Sequence, residues 1–102
     1  FMSDHGEMLG AHGIYLKGPH FYEAAVRVPL VLRFPRKFQQ NLRSDALIEL
    51  LDLAPTLLQT CEVPVPGNMQ GRSLLPICTG DADPATHREY VYCEYYNAVT
   101  PR

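Results

Sequence analysis

The sequence lacks the features that mark membrane-spanning and nucleic-acid-binding proteins. Its 102 residues contain no apolar run near the roughly 18 residues of a transmembrane helix, so no membrane span is expected. No block of basic residues with interleaved aromatics is present, which argues against a nucleic-acid partner. The opening residues show no signal peptide, and bacterial periplasm and cytoplasm both stay open as the compartment. The composition, 46% hydrophobic and 20% charged, is typical of one small globular domain.

Cysteine is represented by three widely spaced residues, Cys61, Cys78 and Cys93. No two of them form a Cys-x-x-Cys pair, which argues against a zinc site of the zinc-finger type. An odd number over this length does not indicate a disulfide framework. We therefore expect three unpaired cysteines that are buried as small apolar side chains.

Charge is small in total, −2, but unevenly divided along the chain. Residues 1–43 carry six basic and three acidic side chains, a net charge of +3, whereas residues 44–102 carry three basic and eight acidic side chains, a net charge of −5. This division is compatible with an anion-binding first part.

The hydrophobic pattern indicates an α/β fold. Apolar, β-branched and aromatic residues predict strands over residues 28–34 and 89–95, and residues 1–3 resemble the end of a buried strand. Residues 47–51 fit either a short strand or the approach to a helix.

Local helix signals follow in the second half of the chain. Asp52 is placed to N-cap a helix over residues 53–61, with Pro55 in the first turn, where a missing N–H is tolerated. Ser73 predicts, in the same way, one helical turn over residues 74–78.

Residues 4–20 have neither a helical nor a strand period, and they contain four glycines. We predict a long irregular loop here, followed by a helical turn over residues 21–25. Loops of this length in compact domains usually carry function.

The tripeptide Asp4-His5-Gly6 opens this loop. Adjacent side chains of a strand point to opposite faces, so Asp4 and His5 can converge only where the backbone turns, and Gly6 permits such a turn. A carboxylate with an imidazole suits Mg²⁺, Mn²⁺, Ca²⁺ or Zn²⁺, although two ligands are too few for any of these ions. From the tripeptide alone, an Asx turn beside a surface histidine is the commoner arrangement.

Lys17 follows in a turn-forming Lys-Gly-Pro context. A lysine near a metal ion is repelled unless an anion lies between them, and a sulfate or phosphate group would fill that place. His12 and His20 could line the same loop. On these residues alone, a solvated lysine and surface histidines are the commoner arrangement.

Several ordered blocks resemble the C-terminal portion of the sulfatase family, in the alkaline phosphatase superfamily. The blocks are SDHGEMLGAHG at residues 3–13, KGPHFYE at 17–23, RVPL at 27–30, DLAPTLL at 52–58 and GRSLLP at 71–76. The resemblance covers residues 1–96. Its specificity comes from the order of the blocks.

The resemblance implies an alkaline-phosphatase-like α/β fold with a small C-terminal sheet-and-helix subdomain. It places the metal and sulfate loop with a core strand in residues 1–35, and the C-terminal part in residues 36–102. It implies an arylsulfatase-like hydrolysis of sulfate esters, in a small molecule or a sulfated glycan, with a divalent metal. That metal is most often Ca²⁺, with Mg²⁺ or Mn²⁺ as alternatives. Asp4 is implied as a metal ligand, His5 as a ligand or sulfate contact, and Lys17 as the catalytic sulfate contact.

The sequence departs from the family pattern at two loop positions, Ala11 and His20, which leaves substrate preference open. The family nucleophile, a formylglycine made from Cys or Ser in a Cys/Ser-x-Pro-x-Arg block, is not found in these residues. We expect it in the remainder of a longer sulfatase chain, the partner without which this fragment should be inactive. A phosphonate monoester or phosphodiester hydrolase of the same superfamily and a non-catalytic scaffold stay open as alternatives.

Overall fold

The computed structural model describes residues 1–96. Among them are three α-helices and two 3₁₀ turns: the turn Ala11–Gly13, α1 over Glu23–Val26, the turn Leu50–Asp52, α2 over Leu53–Thr60 and α3 over Leu75–Thr79. The chain forms two compact units. One contains Phe1–Leu32 with residues 93–96, and the other contains Arg33–Tyr92.

In the first unit, the opening residues pair with the segment that was expected to form a strand. The pairing is one antiparallel bridge, between Met2 and Leu30. Beside it, the terminal ammonium of Phe1 donates to the carbonyl of Val31, and the amide of Val31 donates to the carbonyl of Phe1, both at 2.8 Å. The predicted strand over residues 28–34 is reduced to this single bridge at Leu30. A strand requires continuous pairing, and residues 1–3 are too short a partner to provide it.

The predicted strand over residues 89–95 does not form. The amide of Tyr92 donates to Glu49 Oε1 at 2.6 Å. This backbone amide is therefore bonded to a carboxylate side chain and not to the carbonyl of a neighbouring strand. No strand is assigned anywhere within residues 1–96, and the expected C-terminal sheet is not seen in them.

Helix α2 begins directly after Asp52, as predicted, and ends at Thr60. The preceding 3₁₀ turn shows that residues 47–51 approach a helix and do not form a strand. Asp52 occupies the N-cap position but its side chain does not cap α2. Because its backbone is already helical, with φ −72° and ψ −16°, the carboxylate turns back and accepts from the amide of Glu49 at 3.0 Å.

Helix α3 forms where the sequence predicts a helical turn. Ser73 Oγ accepts from the amide of Leu75 at 3.1 Å, which satisfies an amide at the start of the helix. Gly80 ends the helix in the left-handed region, with φ 83°. This conformation suits glycine, and it lets the amides of Gly80 and Asp81 bond back to the last turn.

The core of the described residues is small. Its buried hydrophobic side chains are Met8, Ala25, Leu74, Ile77 and Cys78. A buried hydroxyl joins the helices of the second unit, since Thr56 Oγ1 donates to the carbonyl of Asp52 at 2.5 Å and accepts from the amide of Leu74 at 2.8 Å. No helix within residues 1–96 has the length and apolar character needed to cross a membrane.

All three cysteines are unpaired, as predicted. Cys78 is buried in α3, and this burial raises the pKa of its thiol, because desolvation disfavours the thiolate. The prediction that Cys61 and Cys93 are buried is wrong. Cys61 lies at the exposed end of α2, and Cys93 lies in an exposed irregular segment.

Candidate functional site

The segment that carries Asp4 and His5 is fixed against helix α1. The amide of Gly6 donates to the carbonyl of Ala25 at 2.8 Å, and the amide of Glu7 donates to the carbonyl of Ala24 at 3.0 Å. A Cβ atom on Gly6 would lie 2.0 Å from the Ala24 oxygen, so a side chain cannot be accommodated there without movement of the backbone. Gly6 is required by this close approach, not by an unusual backbone angle.

Asp4 and His5 turn towards each other at the surface. His5 Nε2 lies 3.9 Å from Asp4 Oδ1. The His5 side chain is 43% exposed and the Asp4 side chain 83% exposed. The other ring nitrogen of His5, Nδ1, lies 2.7 Å from the carbonyl of Gly6. Because a carbonyl oxygen only accepts, Nδ1 is the donor in this contact, and the neutral tautomer that fits it has Nε2 as the unprotonated nitrogen on the side of the carboxylate.

Two further hydrogen bonds hold this turn. Ser3 Oγ donates to the carbonyl of His5 at 2.6 Å, and the amide of His5 donates to Asp4 Oδ1 at 3.1 Å. The second bond joins adjacent residues, so it is not the Asx turn considered from the sequence, in which the carboxylate accepts from the amide two residues on. It fixes the carboxylate while leaving Asp4 Oδ2 without a hydrogen bond among residues 1–96.

The donor pair has the chemistry of a partial metal site. A metal-bound histidine commonly donates its second ring N–H to a backbone carbonyl, which is the arrangement of His5 and Gly6. Within residues 1–96, no group of three or more histidine, cysteine, aspartate or glutamate side chains could hold a metal ion. The pair could therefore supply two ligands, and further ligands would have to come from elsewhere.

Lys17 lies in the same unit, in the loop between the 3₁₀ turn and α1. Its side chain is exposed and forms no ion pair or hydrogen bond with any of residues 1–96. Leu16, directly before it, has a left-handed backbone with φ 67°. The loop thus presents an uncompensated ammonium group to solvent, but no contact within residues 1–96 joins it to Asp4 or His5.

The two other loop histidines gather around Tyr22. The His12 ring stacks on the Tyr22 ring, with centroids 4.1 Å apart and planes 20° apart. The centroid of the His20 ring lies 6.5 Å from that of Tyr22, with the planes 33° apart. The sequence suggested that the histidines could line the loop, but the contribution of Tyr22 was not foreseen.

A second polar cluster, in the other unit, was missed by sequence reasoning. The Asp52 side chain is fully buried, and it accepts from the amide of Arg72 at 2.8 Å and from the Arg88 guanidinium. His87 Nε2 lies 3.3 Å from Asp52 Oδ2, and Arg88 also pairs with Glu49 at 2.5 Å. Arg88 pairs with both carboxylates, while His87 Nε2 and Arg88 Nε are buried without a hydrogen-bond partner among residues 1–96, so the cluster has the character of a structural anchor.

A protein-family model described as N-sulphoglucosamine sulphohydrolase, C-terminal, matches residues 10–101. The chain belongs to this family. Lys17 and the histidine–tyrosine cluster lie inside the part that matches the sulphohydrolase C-terminal model, and Asp4 and His5 come shortly before it.

Relatives of this sulphohydrolase-family chain are sulfatases. It is 37% identical over 97 residues to an N-acetylglucosamine-6-O-sulfatase of Bacteroides thetaiotaomicron, which covers 94% of this chain and 17% of that protein. A crystal structure of a protein of the sulfatase class from the same organism matches with a TM-score of 0.73 and 33% identity, over 84% of this chain and 19% of that one.

A further solved structure shows a protein in complex with its substrate, D-glucosamine-2-N,6-O-disulfate. It matches with a TM-score of 0.72 and 33% identity, over 92% of this chain and 20% of that one. The structural neighbours are consistent with the alkaline-phosphatase-like fold expected from the sequence. The chain spans a fifth or less of the length of these relatives.

Proposed function

We propose that this chain is the C-terminal part of a sulfuric ester hydrolase, to which it contributes metal and sulfate contacts. The observation that carries the proposal is the Asp4–His5 pair, in which a carboxylate oxygen and an imidazole nitrogen lie 3.9 Å apart on a segment fixed by Gly6. Membership of the sulphohydrolase family and the sulfatase names of relatives support sulfate as the anion.

The donor set suits a hard or borderline divalent cation. Asp4 would supply a carboxylate oxygen and His5 its Nε2, with Ca²⁺ as the proposed ion and Mg²⁺ or Mn²⁺ as alternatives for the test. His5 could instead contact the sulfate. When bound, such a cation supplies Lewis-acid stabilisation of charge on the sulfate oxygens. The remaining ligands and a formylglycine nucleophile are proposed to come from the rest of a longer chain.

Lys17 is proposed to contact the substrate sulfate. Its exposed ammonium has no acidic partner among residues 1–96, so it is available to an incoming anion. As the ester bond breaks, this charge would stabilise the negative charge on the sulfate oxygens. This role needs no contact between Lys17 and the metal ligands, because the anion would lie between them.

A sulfated sugar is the proposed substrate class. One relative is named as a sulfatase acting on the 6-O-sulfate of N-acetylglucosamine, and one structural neighbour holds a disulfated glucosamine as its substrate. Both proteins are similar to this chain over more than nine-tenths of its length.

The test uses the full-length protein and an aryl sulfate substrate. We expect Lys17→Ala to lower kcat/KM by about a hundredfold, the scale of losing one charged group that stabilises the transition state. Lys37→Ala is the matched control, because Lys37 forms only a partly exposed ion pair with Glu62 at 3.5 Å, and its kcat/KM should stay within about twofold of wild type.

A parallel assay with an aryl phosphonate separates the alternatives. Faster hydrolysis of the phosphonate than of the sulfate would favour a phosphonate hydrolase. No hydrolysis of either ester by the full-length protein would favour a scaffold role. Unchanged kinetics of Lys17→Ala would contradict the role given to this residue.

A further inference from the structure

We propose that His12, His20 and Tyr22 form a subsite for a second anionic group of the substrate, beside the ester sulfate assigned to Lys17. We call these three side chains the His–Tyr cluster. The inference rests on the proposed sulfatase function and narrows its substrate class to sugars that carry at least two sulfate groups.

The geometry of the cluster suits the binding of an anion better than stacking against the face of a sugar ring. Stacking at 4.1 Å uses one face of His12 and one face of Tyr22. The ring edges, which carry the imidazole nitrogens and the phenol hydroxyl, form no hydrogen bonds with other residues in the range 1–96. His12 and Tyr22 are exposed and His20 is half-buried, and N–H and O–H donors of this kind suit sulfate oxygens.

The charge around the cluster has the same sign throughout. Residues 8–22 contain Lys17, two histidines and no acidic residue. The next acid along the chain, Glu23, pairs with Arg27 at 3.3 Å. An anion would therefore meet a cation and several donors in this loop, and the adjacent Glu23 carboxylate is paired with Arg27.

The cluster is tied to Lys17 through Gly18. A Cβ atom at Gly18 would lie 3.2 Å from Cδ2 and Nε2 of His20, so the imidazole packs directly over the residue that follows Lys17. The amide of His20 also donates to the carbonyl of Gly18 at 2.7 Å. This tight turn places the edge of His20 next to the backbone of the proposed sulfate contact.

The cluster and the Asp4–His5 pair are both attached to helix α1. Tyr22 is the N-cap residue of α1, and Gly6, which follows His5, bonds to the carbonyl of Ala25 near the end of the same helix.

The test compares two substrates in the full-length protein: D-glucosamine-2-N,6-O-disulfate and D-glucosamine-6-O-sulfate. The measured quantity is the selectivity, the ratio of the two kcat/KM values. We expect His12→Ala and His20→Ala each to lower the selectivity by about tenfold, through KM for the disulfate, as for the loss of a hydrogen bond to a charged group. Tyr22→Phe, which keeps the ring stack, should lower it by a smaller factor.

Phe21→Leu is the matched control, since this loop residue has no polar edge, and it should keep the wild-type selectivity. Circular dichroism and the melting temperature show whether each variant folds. If a histidine variant does not fold, the selectivity of Tyr22→Phe still tests the subsite. Equal losses on both substrates would overturn the subsite while leaving the sulfatase proposal intact. No hydrolysis of either sugar by a wild type that cleaves the aryl sulfate would overturn the subsite alone, and no hydrolysis of the aryl sulfate either would overturn both.

Discussion

Gly6 is the residue on which the geometry of the candidate site depends most directly. It brings the backbone within hydrogen-bonding distance of α1 and so determines where Asp4 and His5 stand. The sequence predicted a turn permitted by this glycine, whereas the structure has its bend at Asp4 and an ordinary backbone angle at Gly6. The sequence could not show that the glycine is needed because the carbonyl of Ala24 lies where a Cβ would be, since that contact is between segments distant in the chain.

Gly6→Ala should therefore destabilise the protein and disturb the site. The 2.0 Å approach to the Ala24 oxygen must be relieved by a backbone shift, which we expect to cost about 2–3 kcal/mol of unfolding free energy. Gly67→Ala is the control, because a Cβ there meets no atom within 4 Å, and its effect should stay within about 0.5 kcal/mol. Urea denaturation of both variants measures the difference; equal midpoints would contradict the steric account.

Among the elements, α2 and α3 were predictable and the strands were not. Ser73 and Gly80 mark the ends of α3 through contacts with their near neighbours, which a sequence displays. A strand depends on a partner elsewhere in the chain, and the described residues give residues 28–34 only one bridge. The Asp52 cluster was missed for the same reason, because Arg88 is 36 residues away from its partner.

The Asp52 cluster should control the stability of the second unit. Asp52→Asn keeps the shape of the side chain but removes the charge that compensates Arg88 and faces His87. Breaking a buried ion pair commonly costs about 3–5 kcal/mol, and we expect the lower end because Glu49 still pairs with Arg88. Urea denaturation followed by circular dichroism gives the value.

The exposed Asp45 provides the comparison for this variant. Asp45→Asn should change the unfolding free energy by no more than about 0.5 kcal/mol. If Asp52→Asn were as stable as Asp45→Asn, the buried cluster would not be the anchor described above.

At the scale of the whole molecule, the chain is proposed to supply part of a catalytic apparatus. It spans 17% of the N-acetylglucosamine-6-O-sulfatase to which it is similar. Its first unit contains the Asp4–His5 pair and, without a contact to that pair, the exposed ammonium group of Lys17. Family membership could be predicted from ordered sequence blocks. The roles of Asp4, His5 and Lys17 remain predictions, because residues 1–96 do not complete a metal site.

Calcium binding by the full-length protein tests the central claim most directly. Isothermal titration calorimetry should show that Asp4→Asn and His5→Ala each weaken Ca²⁺ binding by about a hundredfold or more, while Asp45→Asn binds like the wild type. Undiminished Ca²⁺ affinity in both site variants, with their folds intact by circular dichroism, would contradict the account.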